Sequence, residues 1–177
     1  MASYIEASTV TRAVVAFSFG SRDELHEPNP CNVRLARAAE RIINDELGDL
    51  LLISQWEIAE QLESDGLHVD HIIRYPSEGG YLDSDEVWAQ ALPTLDKYGV
   101  SSVIPVVHPF LQMYKVRQLI RESGISVERR RIGWIGFDSS PANTQWWTKG
   151  PVRLSAYAVM QAFGRRTRLP NVERGRG

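Results

Sequence analysis

The sequence predicts an α/β protein, doubly wound, with a mostly parallel sheet of about five strands lying between two layers of helix. Short, continuous apolar runs of strand length recur along the chain, and helix-period segments separate them. Strands that are apolar on both faces need cover on both, which is the condition of a parallel sheet. Right-handed crossovers then bring every strand-to-helix loop to one edge of that sheet.

Residues 12–19 (Arg-Ala-Val-Val-Ala-Phe-Ser-Phe) read as a buried strand ending in a polar loop. A helix over 33–47 follows, with Val33, Ala36, Ala39, Ile43 and Leu47 on one face and Gly48 at its end. Residues 49–54 form the second strand, and 57–64 a helix that stops before Gly66. The third strand covers 69–75 and closes at Pro76. A loop carrying Gly79-Gly80 leads to a helix over 84–98, kinked or restarted at Pro93. The fourth strand spans 101–107, and Pro109 is placed to open a helix running to 122. Beyond Gly124 the apolar residues of 127–137 predict a last, long strand. Residues 138–150 are irregular, 151–163 read as a final helix, and 165–177 as a basic, flexible tail. The chain is read as a single domain over 1–164 followed by that tail.

Composition narrows the function. The 177 residues suit one sizeable core, and a net charge of −2 gives no electrostatic reason to expect nucleic acid as a partner. Cys31 is the one cysteine, so an intrachain disulfide is excluded and a cysteine-based metal site has no support. His26, His68, His71 and His108 show no metal-ligand spacing, and no metal is expected. No apolar run reaches the length of a membrane span, and the first residues lack the basic and apolar regions of a signal peptide. The expectation is a soluble, cytoplasmic protein without a membrane partner.

Ligands of open α/β sheets bind beyond the carboxyl ends of the strands, so the loops there hold the candidates. The first supplies Ser18, Gly20, Ser21, Arg22, Asp23 and Cys31. The second supplies Ser54, Gln55 and Glu57, the third Ser77, Glu78, Ser84 and Glu86, and the fourth His108. Gly20 suits either a plain turn or an approach of backbone amides to an anion. Neither a dinucleotide nor a P-loop glycine pattern is present. Arg34, Arg37 and Arg41 share one helical face. Arg34, in the predicted first turn, opposes the helix dipole and needs a carboxylate or a bound anion. Asp83-Ser-Asp-Glu86 has the form of a capping box, and alternatively presents Ser84 and Glu86 to a ligand. His108 at a strand end is a candidate acid or base. Cys31 lacks a nucleophile signature and reads as inert. Trp146 and Trp147, with Tyr81 and Phe110, form either an aromatic lid or packing for the last helix.

From Val14 to about Phe163 the order of these elements resembles the YdcF/SanA/ElyC-like family of bacterial domains of unknown function. Arg34-Leu35-Ala36-Arg37-Ala38 is similar to the family's Arg-Leu-x-x-Ala helix start. Leu52-Ile53-Ser54 with Glu57-Ile58-Ala59 looks like a shortened second element. Ser84-Asp85-Glu86-Val87 stands where Thr-x-Glu-Asn falls, and the stretch from Val106 to Met113 takes the fourth position. The chain departs from the pattern at Gln55-Trp56, at Val87 and at Leu111 in the usual histidine position. The resemblance implies a divergent member with a Rossmann-like three-layer α/β/α sandwich and a polar pocket at the rim. It also implies S-adenosylmethionine as a cofactor in one branch. It raises Arg34, Glu57, Ser84 and Glu86 as site residues.

Together these readings predict an enzyme that binds a small polar or anionic, nucleotide-like metabolite at the rim. Ser18, Gly20, Arg34, Ser54, Glu57 and Ser84 are expected to contact it, with Glu86 and His108 as catalytic groups. The alternative is a non-catalytic module holding S-adenosylmethionine or a nucleotide for a partner protein.

Overall fold

A computed structural model describes residues 10–22, 28–46, 48–77 and 82–167, with side chains up to residue 160. Five strands, β1 (Arg12–Ala16), β2 (Leu51–Gln55), β3 (His71–Ile73), β4 (Ser102–Val106) and β5 (Ser126–Val127), form one sheet in the order β3-β2-β1-β4-β5. Every pairing is parallel. The three-layer α/β/α arrangement is therefore the fold.

Helices α1 (Pro30–Asp45) and α2 (Trp56–Ser64) pack together, as do α3 (Ser84–Tyr98) and α4 (Leu111–Glu122). A short 3-10 turn (Trp146–Lys149) and α5 (Pro151–Thr167) complete the chain. Ala13 to Phe17 of the central strand are wholly buried, as its apolar composition requires. The core continues through Leu35 and Ala39 of α1, Ile58 and Leu62 of α2, Ala91 and Leu95 of α3, and Val116 and Ile120 of α4.

Several elements differ from expectation. First, α1 begins at Pro30, not at 33, because Asn29 accepts a hydrogen bond from the Cys31 N–H at 2.8 Å and Pro30 fits the first helical position. Arg34 thus stands in the second turn rather than the first. Second, α4 starts at Leu111, two residues after Pro109, while α3 passes through Pro93 without a break. Third, the long last strand over 127–137 shrinks to Ser126–Val127.

The cause of that shortening lies at Gly133 and Gly136, whose φ of +87° and +78° cannot continue a strand ladder. Ile132 and Ile135 remain buried, whereas Trp134 between them points outward, 81% exposed. The stretch runs beside α1 towards the rim. Arg41 donates to the Ile132 carbonyl at 3.1 Å and Arg34 to the Ile135 carbonyl at 2.6 Å. Side-chain donors thus replace the ladder. At the far end, α5 extends to Thr167, so Arg165 and Arg166 belong to the helix rather than to the expected tail.

At the opposite edge from the rim, Arg12 bridges Glu128 at 2.7 Å and Glu46 at 3.0 Å, and Arg130 closes the ring at 2.6 Å from Glu46 and 3.1 Å from Glu128. The Arg12 hydrogen bond is the main force holding the Glu128 carboxyl down at about 2, from an ordinary 4.5. An unfolded Glu128 takes up its proton near 4.5 and the folded one only near 2, so this ring stabilises the fold fully above 4.5 and loses its effect as pH falls through 2. Acid titration of the melting temperature is expected to show a fall across that window. Glu128→Gln should flatten it by about 1–3 kcal/mol, and an unchanged acid limb in the variant would refute the assignment.

Candidate functional site

With this strand order the chain reverses direction between β1 and β4, and the crevice at their carboxyl ends is where ligands of such sheets lie. The backbone leaving β1 is held there by side-chain amides. Gln55 accepts from the Ser18 N–H at 3.0 Å, and Gln112 donates to the Ser18 carbonyl at 3.0 Å. Asn32 accepts from the Phe19 N–H at 2.8 Å and donates to the Gly20 carbonyl at 3.2 Å. Gln112 also receives the His108 N–H at 3.1 Å, joining the ends of both strands.

Gly20 lies at φ +85°, and a Cβ there would meet Asn29 Nδ2 at 2.8 Å and Thr148 Oγ1 at 3.1 Å. The turn reading of Gly20 accounts for this position. Around it Arg22 pairs with Asp138 at 2.9 Å, and Asn143 donates to the Asp138 carbonyl and to Thr148. Burial would raise the Asp138 carboxyl, but the bonds from Arg22 and Ser140 outweigh it and hold the group below its usual range.

A cavity of about 320 Å³ opens at the crevice. Ser18, Phe19 and Gly20 form its floor, and Ser84, Gln112 and Lys115 one side. The opposite wall is Trp147, stacked on Tyr157 of α5 with ring centres 4.8 Å apart. Lys115 forms a close ion pair with Asp85 and lies 3.9 Å from Asp83. A second cleft, about 370 Å³, lies on the other side of the β1 loop, between Arg22, Asn29 and Asn32 and the helix residues Trp56, Glu57 and Glu60.

Glu57 is the perturbed group of the site. Burial pushes its carboxyl up to about 7, against weaker opposing hydrogen bonds from its own backbone and from the Ser18 side chain. Its Oε2 is closed off from solvent and has no hydrogen-bond partner. Ser18 lines the crevice cavity and lies beside Glu57, which lines the second cleft.

The expected site residues divide accordingly. Ser18, Gly20 and Ser84 share the crevice cavity, and Glu57 lines the second cleft. Ser54 is buried in β2 with its hydroxyl on the Gln55 carbonyl. Arg34 is engaged with Ile135. Glu86 is half-buried, where bonds from the Ser77 hydroxyl (2.5 Å) and N–H and from Gln90 (2.7 Å) hold its carboxyl low. Asp83 caps α3 by accepting from Asp85 and Glu86, so half of the expected capping box forms while Glu86 ties down Ser77 instead.

His108 is buried against Phe19, ring centres 3.9 Å apart, with Nε2 2.7 Å from the Gly136 carbonyl. That contact requires the proton on Nε2, which leaves Nδ1 to accept from the Phe110 N–H at 3.4 Å. Burial lowers the His108 pKa, so the ring is a neutral brace with both nitrogens occupied. Cys31 is pushed up to about 11 by burial and then by Asp138, which fits the inert reading. Asp23, Glu78, Gly79, Gly80 and Tyr81 lie outside the described residues. Phe110 faces a different groove, and Trp147 forms the cavity wall. Sequence reasoning missed Asn32 and Gln112. The one signal for them was a polar residue at a helix start, which many surfaces share.

Among the described residues no three His, Cys, Asp or Glu side chains gather as a metal site, and no helix is long and apolar enough to cross a membrane. No family model matches the chain, and no curated protein does. A Rhizobium etli pyruvate carboxylase, solved with the allosteric activator acetyl coenzyme A, is similar over 67% of this chain and 11% of that one, at 15% identity and a TM-score of 0.35.

Unfolded, the Glu57 carboxyl ionises near 4.5, and folded near 7, so folding takes up a proton between those values and stability falls as pH rises through them. Glu57→Gln is expected to stabilise the protein at pH 8 by roughly 1–3 kcal/mol and to change little at pH 4. Urea unfolding at both pH values measures this. A loss of stability at pH 8 would show that the ionised carboxylate has a partner.

Proposed function

We propose that the chain is an enzyme that binds a small polar metabolite in the crevice cavity and moves a proton on it through Ser18 and Glu57. The observation that carries this reading is Glu57: a carboxyl titrating at about 7, with a buried, unpartnered oxygen, at the carboxyl edge of a parallel sheet. A strongly perturbed titrating group in a cleft is a candidate functional group. A value near the working pH is what general acid–base catalysis needs.

In the forward step Glu57 gives its proton to Ser18 Oγ as Ser18 gives its own to the substrate, and the reverse makes the pair a base. Mixed charges at the mouth, Lys115 beside Asp83 and Asp85, favour a polar substrate over a strongly anionic one. The resemblance to YdcF/SanA/ElyC-like proteins supports a rim ligand and a divergent place in that family.

A second reading, a module that holds S-adenosylmethionine or a nucleotide without turnover, draws on the Trp147–Tyr157 wall, which offers a flat apolar surface to a heterocycle. Incubating the protein with a small-molecule cell extract and following it by mass spectrometry separates the two. Conversion of a metabolite, reduced about 10²-fold or more in Glu57→Gln and comparably in Ser18→Ala, is the expected result. Equal conversion by Glu57→Gln would refute the proton role. Saturable binding of S-adenosylmethionine by calorimetry, with no conversion of any metabolite, would establish the second reading instead.

A further inference from the structure

We propose that the groove along the outer face of α4 binds a phosphorylated small molecule, with Arg117, Arg121 and Arg129 holding the phosphoryl oxygens. The groove adjoins the crevice cavity, sharing Tyr114 and Gln118 with its lining, but its three arginines belong to the groove alone and do not depend on the reading of that site. It has a volume of about 590 Å³, within the range of small-molecule pockets. Arg117 and Arg121 are one turn apart on the same face of α4, and Arg129 enters from just beyond β5.

Among the described residues the three guanidinium groups have no acceptor. None forms a side-chain hydrogen bond or ion pair among the described residues, whereas Arg12, Arg22, Arg74 and Arg130 each meet a carboxylate. The carboxylate within the groove, Glu122, accepts from Gln118 at 2.7 Å. Arg117 Nε is buried without a partner. Burial, with Arg129 and Arg121 as like charges nearby, makes it harder for Arg117 to keep its proton. A folded chain gains nothing by gathering three unpaired cations in one concavity. A bound polyanion removes the repulsion and fills the donors at once, and guanidinium groups match phosphoryl oxygens in forked pairs.

The opposite end of the groove is aromatic. Tyr114 is 76% exposed and Phe110 47% exposed. A ligand with a phosphoryl group at one end and a flat or apolar body at the other fits that division, and a compact volume favours a small molecule over an acidic peptide.

Calorimetry on the full chain at constant ionic strength, with inorganic pyrophosphate, AMP and adenosine as probes, tests this. Saturable binding of pyrophosphate and AMP, but not of adenosine, is expected. Arg121→Ala and Arg129→Ala, both at exposed positions, should each weaken it about tenfold or more. Arg37→Ala on α1 should leave it unchanged, and circular dichroism checks that each variant folds. Absence of saturable pyrophosphate binding at millimolar concentration would overturn the proposal. So would unchanged affinity in the Arg121→Ala/Arg129→Ala double variant, or tighter binding of an oligoglutamate peptide than of pyrophosphate.

Discussion

The structure at the rim depends on a few side-chain amides that take over where the sheet ladder ends. Past Ala16 the β1 backbone still carries its donors and acceptors into a buried turn, and buried backbone groups need partners. Gln55, Gln112 and Asn32 supply them at Ser18, Phe19 and Gly20. Because these amides come from β2, α4 and α1, the same bonds that satisfy one turn also fix three elements against it. The Phe17 N–H still reaches the Val106 carbonyl at 2.9 Å, so the handover from ladder to amides occurs within one residue.

Between β5 and the 3-10 turn the chain forms no helix, and this irregular stretch covers part of α1. On the face shared by α1 and α2, the stretch beyond β5 takes the place a third helix would fill beside α1. Ile132 and Ile135 provide the apolar cover and Arg34 and Arg41 satisfy the carbonyls. That stretch then delivers Gly136 to His108 and Asp138 to Arg22, so the cover layer and the rim are one continuous piece of chain.

Periodicity made the fold class legible, because a strand buried on both faces, such as Ala13–Ala16, has no polar alternation to confuse the reading. Gly99 and Gly124 follow the ends of α3 and α4, where the backbone turns to φ +67° and +75°. The start of α1 is legible in Asn29-Pro30, a cap and first-turn proline that compete with the apolar period beginning at Val33. The overlong last strand shows the limit of pattern: Ile132 and Ile135 look like strand residues, but Gly133 and Gly136 turn the backbone to positive φ and the long-range donors Arg34 and Arg41 take up its carbonyls. Sites were harder still. Ser18 and Glu57 stand 39 positions apart in sequence, and the burial that perturbs Glu57 is a property of the packed helix, invisible in its neighbours.

The amide frame has one more consequence. Asparagine and glutamine carry no charge at any ordinary pH, and His108 sits in the frame as a neutral ring. Arg22 and Asp138 keep fixed opposite charges well to either side of neutrality. The geometry of the turn is thus electrically silent across the physiological range. Against that constant background Glu57, raised to about 7 by burial, is the described group beside the turn whose charge changes near neutrality.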